Sequence, residues 1–325
     1  MKTNSRHLEV AALAASSTAL LASLLAASLA HAQDYPSNPI EVIVPFSAGG
    51  GVDALARSFA QGMDTRLKQR TVVQNRDGGS TIIGMSALAN APADGYTMLY
   101  GPVTALTIHP HRMKNLPFKV AAFTPVCQTF ENIFFVAARP NSPIKDFDSL
   151  LAGARAEPGK FSYAHPGPAS SPHLAGAELF AQAGVKLNDI PFKGESVMAP
   201  QLLSGEVDVG IVTMSMVASQ GLKPLAVFAK SRMPGYESTP TIGEKGYDVQ
   251  PSTYGGIFMK TGTSQDIVSK VEAACRDTVD SASYKELAGK QHQLPSYLDH
   301  AAFASRIAAD SRAKEKLIPT LKIEE

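Results

Sequence analysis

Two stretches hold the residues best suited to chemistry. In IEVIVPFSAGGGVDALARSFA, residues 40–60, a β-type apolar run enters glycines and an alanine-rich helical pattern follows. Gly49, Gly51 and Ala54 satisfy the G-x-G-x-x-G/A spacing of a dinucleotide site. The rest of that signature is missing. Pro45 to Ala48 separate the strand from the glycines, and the second strand, TVVQN, runs into Asn75 and Arg76 with no acid for a ribose. What survives is more general. Glycines let the backbone approach a ligand without a Cβ, and a helix start offers unpaired amides and partial positive charge to any anion, a carboxylate included. A plain tight turn is the alternative.

The second stretch is HPGPASSPHLAGAELF, residues 165–180. Ser171 stands where an N-cap belongs and Pro172 where a first helical residue belongs. That reading offers the amides of His173 and Leu174 beside the hydroxyls of Ser170 and Ser171. Ser171 merely capping its helix is the alternative. Two such loops facing across a cleft would hold a compound with a carboxylate at either end.

Other reactive side chains divide less cleanly. Lys193 follows an expected strand, DIPF, and could pair with a carboxylate, or sit in solvent. Arg76 lies at a strand end, where ligands gather in open α/β sheets or a salt bridge forms. His165 and His173 flank the second loop, but no further ligands at metal spacing accompany them, so no metal is expected. Glu195 would repel an anion and is expected to point outward. No G-x-S-x-G elbow, no H-E-x-x-H and no P-loop occurs, because GARAEPGKF has one residue too many and Phe161 where Ser or Thr is required. Neither an enzyme nor a cofactor is expected.

Positioning these residues requires alternating strands and helices. Strands are expected at 40–44, 71–74, 97–100, 134–138, 160–163, 207–212, 225–229 and 254–259. Helices are expected at 52–66, 83–90, 147–156, 173–183, 196–203, 265–281 and 300–317. That alternation implies mainly parallel sheets flanked by helices, an α/β architecture. The 325 residues exceed what one core usually serves, so two domains are expected. Lys2 and Arg6 precede an uncharged stretch ending in Ala30-His31-Ala32, the pattern of a signal peptide cleaved near Ala32 on export. Cleavage would remove two of 30 basic and one of 29 acidic side chains, leaving 28 of each. A neutral chain without like-charge blocks excludes nucleic acid as a partner, and attraction for a charged ligand must be local. Cys127 and Cys275 either pair or remain two buried thiols.

The segments YPSNPIEVIVPFSAGGGVDALAR, VVQNRDGGSTIIG, APADGYTMLYG, HLAGAELF and PFKGESVMAPQLLSGEVDV, in this order, resemble the TctC or Bug (Bordetella uptake gene) proteins, periplasmic solute receptors of tripartite tricarboxylate transporters. The resemblance runs from about Tyr35 to the C-terminus. It implies a two-domain Venus-flytrap fold with two crossover strands and no catalysis. The domains would be 33–132 with 255–325, and 133–254, with crossings near Glu131–Phe134 and Thr253–Gly255. It implies a monomer that delivers a small di-, tri- or aromatic carboxylate to membrane permease subunits. A receptor presenting its loaded form to a signalling kinase is the alternative.

Carried over by position, the resemblance assigns ligand contacts to Phe46, Ser47, Ala48, Gly49 and Thr104 in the first domain. In the second it assigns His165, Gly167, Ser170, Ser171, His173, Lys193 and Thr213. The chain also departs from the family pattern. His165-Pro166-Gly167-Pro168-Ala169-Ser170 stands where many members have Ser-Ala-Gly-Asn-Gly-Ser, and Glu195 follows Lys193-Gly194 where Ser is usual. Val212 replaces a frequent Asp, an acceptor suited to an amino or hydroxyl group. With Met214 nearby, this predicts a more apolar pocket and an organic or aromatic acid rather than an amino acid.

Overall fold

The computed structural model describes residues 35–290 and 292–321. The signal-peptide segment, 1–32, lies outside them. Eleven strands form two mixed sheets. The six-stranded sheet, in the order β11-β4-β10-β3-β1-β2, contains β1 (Ile40–Val44), β2 (Thr71–Asn75), β3 (Thr97–Pro102), β4 (Phe123–Glu131), β10 (Tyr254–Lys260) and β11 (Leu294–Leu298). The five-stranded sheet, ordered β7-β6-β8-β5-β9, contains β5 (Phe134–Ala138), β6 (Ser162–His165), β7 (Asn188–Pro191), β8 (Val209–Thr213) and β9 (Lys223–Phe228). Each sheet has a parallel half, β2-β1-β3 or β7-β6-β8, and its remaining pairings are antiparallel.

Helices α1 (Gly51–Leu67), α2 (Ile82–Asn90), α3 (Thr104–Thr107), α4 (His109–Arg112), α5 (Phe147–Ala156) and α6 (Ser171–Gln182) follow in chain order. They are succeeded by α7 (Glu195–Ser204), α8 (Met214–Gln220), α9 (Gln265–Val279), α10 (Ala282–Lys290) and α11 (His300–Leu317). The chain passes from the first sheet to the second through Asn132 and Ile133, and returns before Tyr254. The two crossings bond to each other, Asn132 N–H donating to Thr253 O at 2.6 Å. After the return, α9 and α11 pack on β4, so the C-terminal segment completes the first lobe. No described helix is long and apolar enough to cross a membrane.

Strand burial follows from side-chain alternation. In β5, Phe134, Val136 and Ala138 join the core with Leu150, Tyr163 and Leu179, whereas Phe135 and Ala137 face Met198, Leu202 and Val217. Both faces are therefore covered, which is why FFVAA reads as an unbroken apolar run. Strand β10 is squeezed differently. A Cβ on Gly256 would stand 2.0 Å from Cys127 O, and one on Gly255 would stand 2.3 Å from Gly101 O. Only glycine lets β10 sit between β3 and β4 here. Cys127 and Cys275, both buried, form a disulfide that ties β4 to α9.

Two strands were not anticipated from the sequence. In β4, FTPVCQTFE contains a proline and shows no alternation. The edge strand β11, LPSYL, is half-buried throughout. The strand expected over DIPF is β7, Asn188–Pro191, which leaves Lys193 in the loop beyond it. The strand expected at 160–163 lies at Ser162–His165.

Candidate functional site

The C-terminal ends of β1, β3, β6 and β8 open on a common cavity of about 110 Å³ between the two sheets. That is the edge at which parallel α/β sheets bind ligands. Besides the short α3 at Thr104 and α8 at Thr213, three longer helices begin on its wall. Gly50, Gly51 and Val52 start α1, Ser170 and Ser171 start α6, and Gly194 and Glu195 start α7. Their first-turn amides lack helical partners and carry the positive end of the helix dipole.

The side chains there are short of partners as well. Thr81 Oγ1, Ser171 Oγ, Ser252 Oγ and Gln293 Oε1, on residues that line the cavity, are buried and bond to no protein group. Their residues are each at most 5% exposed. Asn132 Oδ1, on the crossing, is a fifth. Buried polar atoms are nearly always satisfied, so five at one place mark where a polar solute or water belongs. Sequence reasoning missed Thr81, Asn132, Ser252 and Gln293. Only the Gly78-Gly79-Ser80-Thr81 run after β2 gave a local signal.

A charge is held beneath the first loop. Asp53, buried in the first turn of α1, accepts from Gly49 N–H at 3.0 Å, Asn75 Nδ2 at 2.8 Å and Arg57 Nε at 3.1 Å. Burial works to raise its pKa, but the bonds from Arg57, Gly49 and Asn75 prevail and hold it below the usual range. Asp53 thus shapes the glycine turn. The Gly49 amide is committed to it and not offered to the cavity, contrary to the assignment of Gly49 as a contact. Ser47 Oγ likewise donates to Asp77 Oδ2 at 2.6 Å. Phe46, Ser47, Thr104, Ser170, Ser171, Lys193 and Thr213 all line the cavity. Ala48 and Gly49 do not.

Gly167 and His173 border a wider adjoining space of about 1220 Å³, which shares Phe46, Ser80, Thr81, Pro166, Lys193 and Gly194 with the small cavity. A bridge between the lobes stands there, Ser80 Oγ donating to Pro168 O at 2.7 Å. The approach is close: a Cβ on Gly167, φ +137°, would lie 2.7 Å from Ser80 Oγ. Ser80 and Thr81 themselves hold φ of 50° and 86°, left-handed values uncommon outside glycine.

Three expectations need correction. The N-cap of α6 is Ser170, whose Oγ accepts from His173 N–H, and not Ser171. Ala169 at φ 54° turns the chain one residue earlier than the sequence suggests. That frees Ser171 Oγ for the cavity. Val212 is fully buried and Met214 nearly so, both in a core cluster away from the cavity wall, so they do not make it apolar. Glu195 points inward. Its Oε1 accepts from Thr213 N–H at 2.6 Å and its Oε2 from Thr213 Oγ1 at 2.7 Å. Burial raises its pKa, partly offset by those two bonds.

His165 lies fully buried behind the loop and borders neither space. Its ring stacks on His173 with centroids 4.1 Å apart and planes within 13°. Both Nε2 atoms stand 3.5 Å from Asp189 Oδ2. Asp189 supplies a third potential ligand atom that the sequence did not reveal. Parallel rings, however, aim their lone pairs along parallel planes and cannot converge on one ion. His173 Nδ1 moreover accepts from Ala169 N–H at 2.8 Å, leaving the proton on Nε2. The pair is a stacked prop under the loop. Burial lowers both pKa values, that of His173 to about 4 with help from neighbouring His165.

Known proteins share this fold. The family model described as "Tripartite tricarboxylate transporter family receptor" matches residues 55–323. Protein BugT of Bordetella pertussis is 32% identical over 272 residues, 81% of this chain and 83% of BugT. The solved structure of periplasmic binding protein BugD superposes with a TM-score of 0.82 at 26% identity, covering 89% of this chain and 99% of that one. R. palustris Rpa4515, solved with adipate, gives 0.84 at 26% identity with the same coverage. The chain therefore belongs to the TctC family of tripartite tricarboxylate transporter receptors, non-enzymatic solute-binding proteins of the two-domain periplasmic fold.

Proposed function

We propose that this receptor closes over one small carboxylate in the cavity between its sheets and delivers it to the membrane permease subunits of a tripartite transporter. One observation carries the reading. Three helix starts and four nearly inaccessible polar side chains without protein partners converge on a single small cavity. No arginine lines it but Lys193 does, so the carboxylate is held by amide dipoles and hydroxyls, as at other helix N-termini, with the Lys193 ammonium on the same wall. The adipate of Rpa4515 supports the ligand class. The same proposal takes residues 33–132 with 255–325 and 133–254 as the moving domains, with export after cleavage near Ala32 and action as a monomer. Hinged closure of two domains around a ligand is an established mode of switching.

A thermal-shift screen over adipate, other di- and tricarboxylates and aromatic acids tests the ligand class. A ligand at about 100 times its dissociation constant adds roughly 2.7 kcal/mol and a visible shift. Silence across the whole panel would refute the class. Ser171→Ala is the sharper probe of the site, because its hydroxyl bonds to nothing in the protein while Ser170 caps the helix. Affinity for the best acid should fall about five-fold, near 1 kcal/mol, with the melting temperature of the free protein unchanged. Unaltered affinity would move the ligand away from the second loop.

A further inference from the structure

We infer that His109 and His173, one in each lobe, are positioning residues that fix the two partners of the Ser80–Pro168 bridge and so make it a latch between the lobes. As a device for retaining a ligand this rests on the receptor reading; as a contact between the lobes it does not. The bridge alone is poorly placed to hold anything. Ser80 is half-buried and Pro168 exposed, so water competes for both ends of the bond from Ser80 Oγ to Pro168 O. Its strength depends on how firmly each partner is fixed. Both stand on unfavourable backbone. The φ angle is 50° at Ser80, 86° at Thr81 and 54° at Ala169, left-handed values that persist only with support from their surroundings.

On each side the support is a buried imidazole. His109, 1% exposed at the start of α4, meets Ser80 O through Nε2 at 2.7 Å. A carbonyl only accepts, so that nitrogen carries the proton and donates. His173, 5% exposed, uses Nδ1 to accept from Ala169 N–H at 2.8 Å. Ala169 N–H and Pro168 O belong to one peptide group. That group accepts from Ser80 of the first lobe while donating to His173 of its own, and each bond polarises it in favour of the other. The two rings carry their proton on the same nitrogen and serve opposite needs, a donor in one lobe and an acceptor in the other. Burial lowers both pKa values and keeps both rings neutral, as these roles require. An apolar cluster shared by the lobes backs the arrangement. Ile108, next to His109, joins Ala169 and Leu174 there, with Ile318 and Leu321 from the turn after α11.

Double-mutant cycles at neutral pH decide the matter, read as lobe separation in the free chain and as the rate of adipate release. Gln61→Cys in α1 and Gln201→Cys in α7, both exposed, carry spin labels, since the native cysteines are paired. His109→Gln keeps a donor at the place of Nε2, and His173→Asn keeps an acceptor at the place of Nδ1. His109→Leu and His173→Leu keep neither. The two Leu variants and Ser80→Ala are expected to lengthen the label separation and to speed adipate release about five-fold, the loss of one hydrogen bond. The Gln and Asn variants should stay within about two-fold of the parent. In the Ser80→Ala background a Leu substitution should add almost nothing, because the bridge it serves is already gone. Merely structural histidines would give costs that add and no rescue. Additive costs, or Leu variants with the separation and release rate of the parent, overturn the inference. Failure of adipate to bind counts against the receptor reading alone, and the free-chain separations still decide the latch. If a Leu variant fails to fold, hydrogen exchange of the Ala169 amide takes its place. Ser80→Ala should speed that exchange about five-fold, and an unchanged rate also overturns the inference.

Discussion

The Cys127→Ala, Cys275→Ala double variant is expected to melt roughly 8 °C below the parent chain. The disulfide closes a loop across a sequence separation of 148 residues, about half the chain. In the chain-entropy account, such a loop withholds about 5 kcal/mol of disorder from the unfolded state. With an unfolding entropy of about 0.6 kcal/mol per kelvin for a domain pair of this length, 5 kcal/mol becomes the stated shift. Both half-cystines are buried, and the bond joins β4, next to the edge strand β11 of the first sheet, to α9 outside it. Alanine leaves small gaps without burying a hydroxyl. Calorimetry of the parent, the reduced parent and the double variant makes the measurement. Equal melting temperatures for oxidised parent and variant would remove the disulfide from any account of stability.

Acidification is the second large effect, and its sign follows from burial. His173 is held neutral, its pKa displaced from 6.5 to about 4 by desolvation first and by His165 second. Asp189 works the other way without prevailing, and Arg112 adds a further opposing charge. Because the folded value is depressed, the unfolded chain binds more protons between those limits. The contribution is complete above about pH 6.5 and is lost as the pH falls towards 4. A displacement of that size corresponds to roughly 3 kcal/mol. His165 and His109, also lowered by burial, act in the same direction. The melting temperature should therefore drop by about 5 °C or more between pH 6.5 and 4. His173→Asn keeps an acceptor near the Ala169 amide but cannot gain a proton, so it should flatten the decline. Parallel curves for parent and variant would dismiss the stacked pair as its source.

Much of the scaffold was legible because its signals are local. The apolar run of β1, the glycines and the periodic pattern of α1 are contiguous, as are β6, its loop and α6. The strand β4 was not. Its burial comes from being sandwiched between β10 and β11, strands distant in sequence. The site divides along the same line. Thr104, Ser170, Ser171 and Thr213 sit at strand-to-helix junctions, where sequence has something to say. Asn132, Ser252 and Gln293 arrive from the two crossings and from the loop before β11, brought together only by folding. Glu195 failed for an energetic reason. Repulsion of an anion was foreseeable, but the amide and hydroxyl of Thr213 that hold its carboxylate inward lie 18 residues away. Val212 failed through register, since a strand buried on both faces gives no indication of which side holds a pocket.

The span from Ser80 Oγ to Pro168 O lies where the small cavity meets the wider space. A molecule leaving by that route must first part this contact, which belongs to the protein alone and is the same for every occupant. One hydrogen bond of about 1 kcal/mol slows escape about five-fold without favouring any chemistry over another.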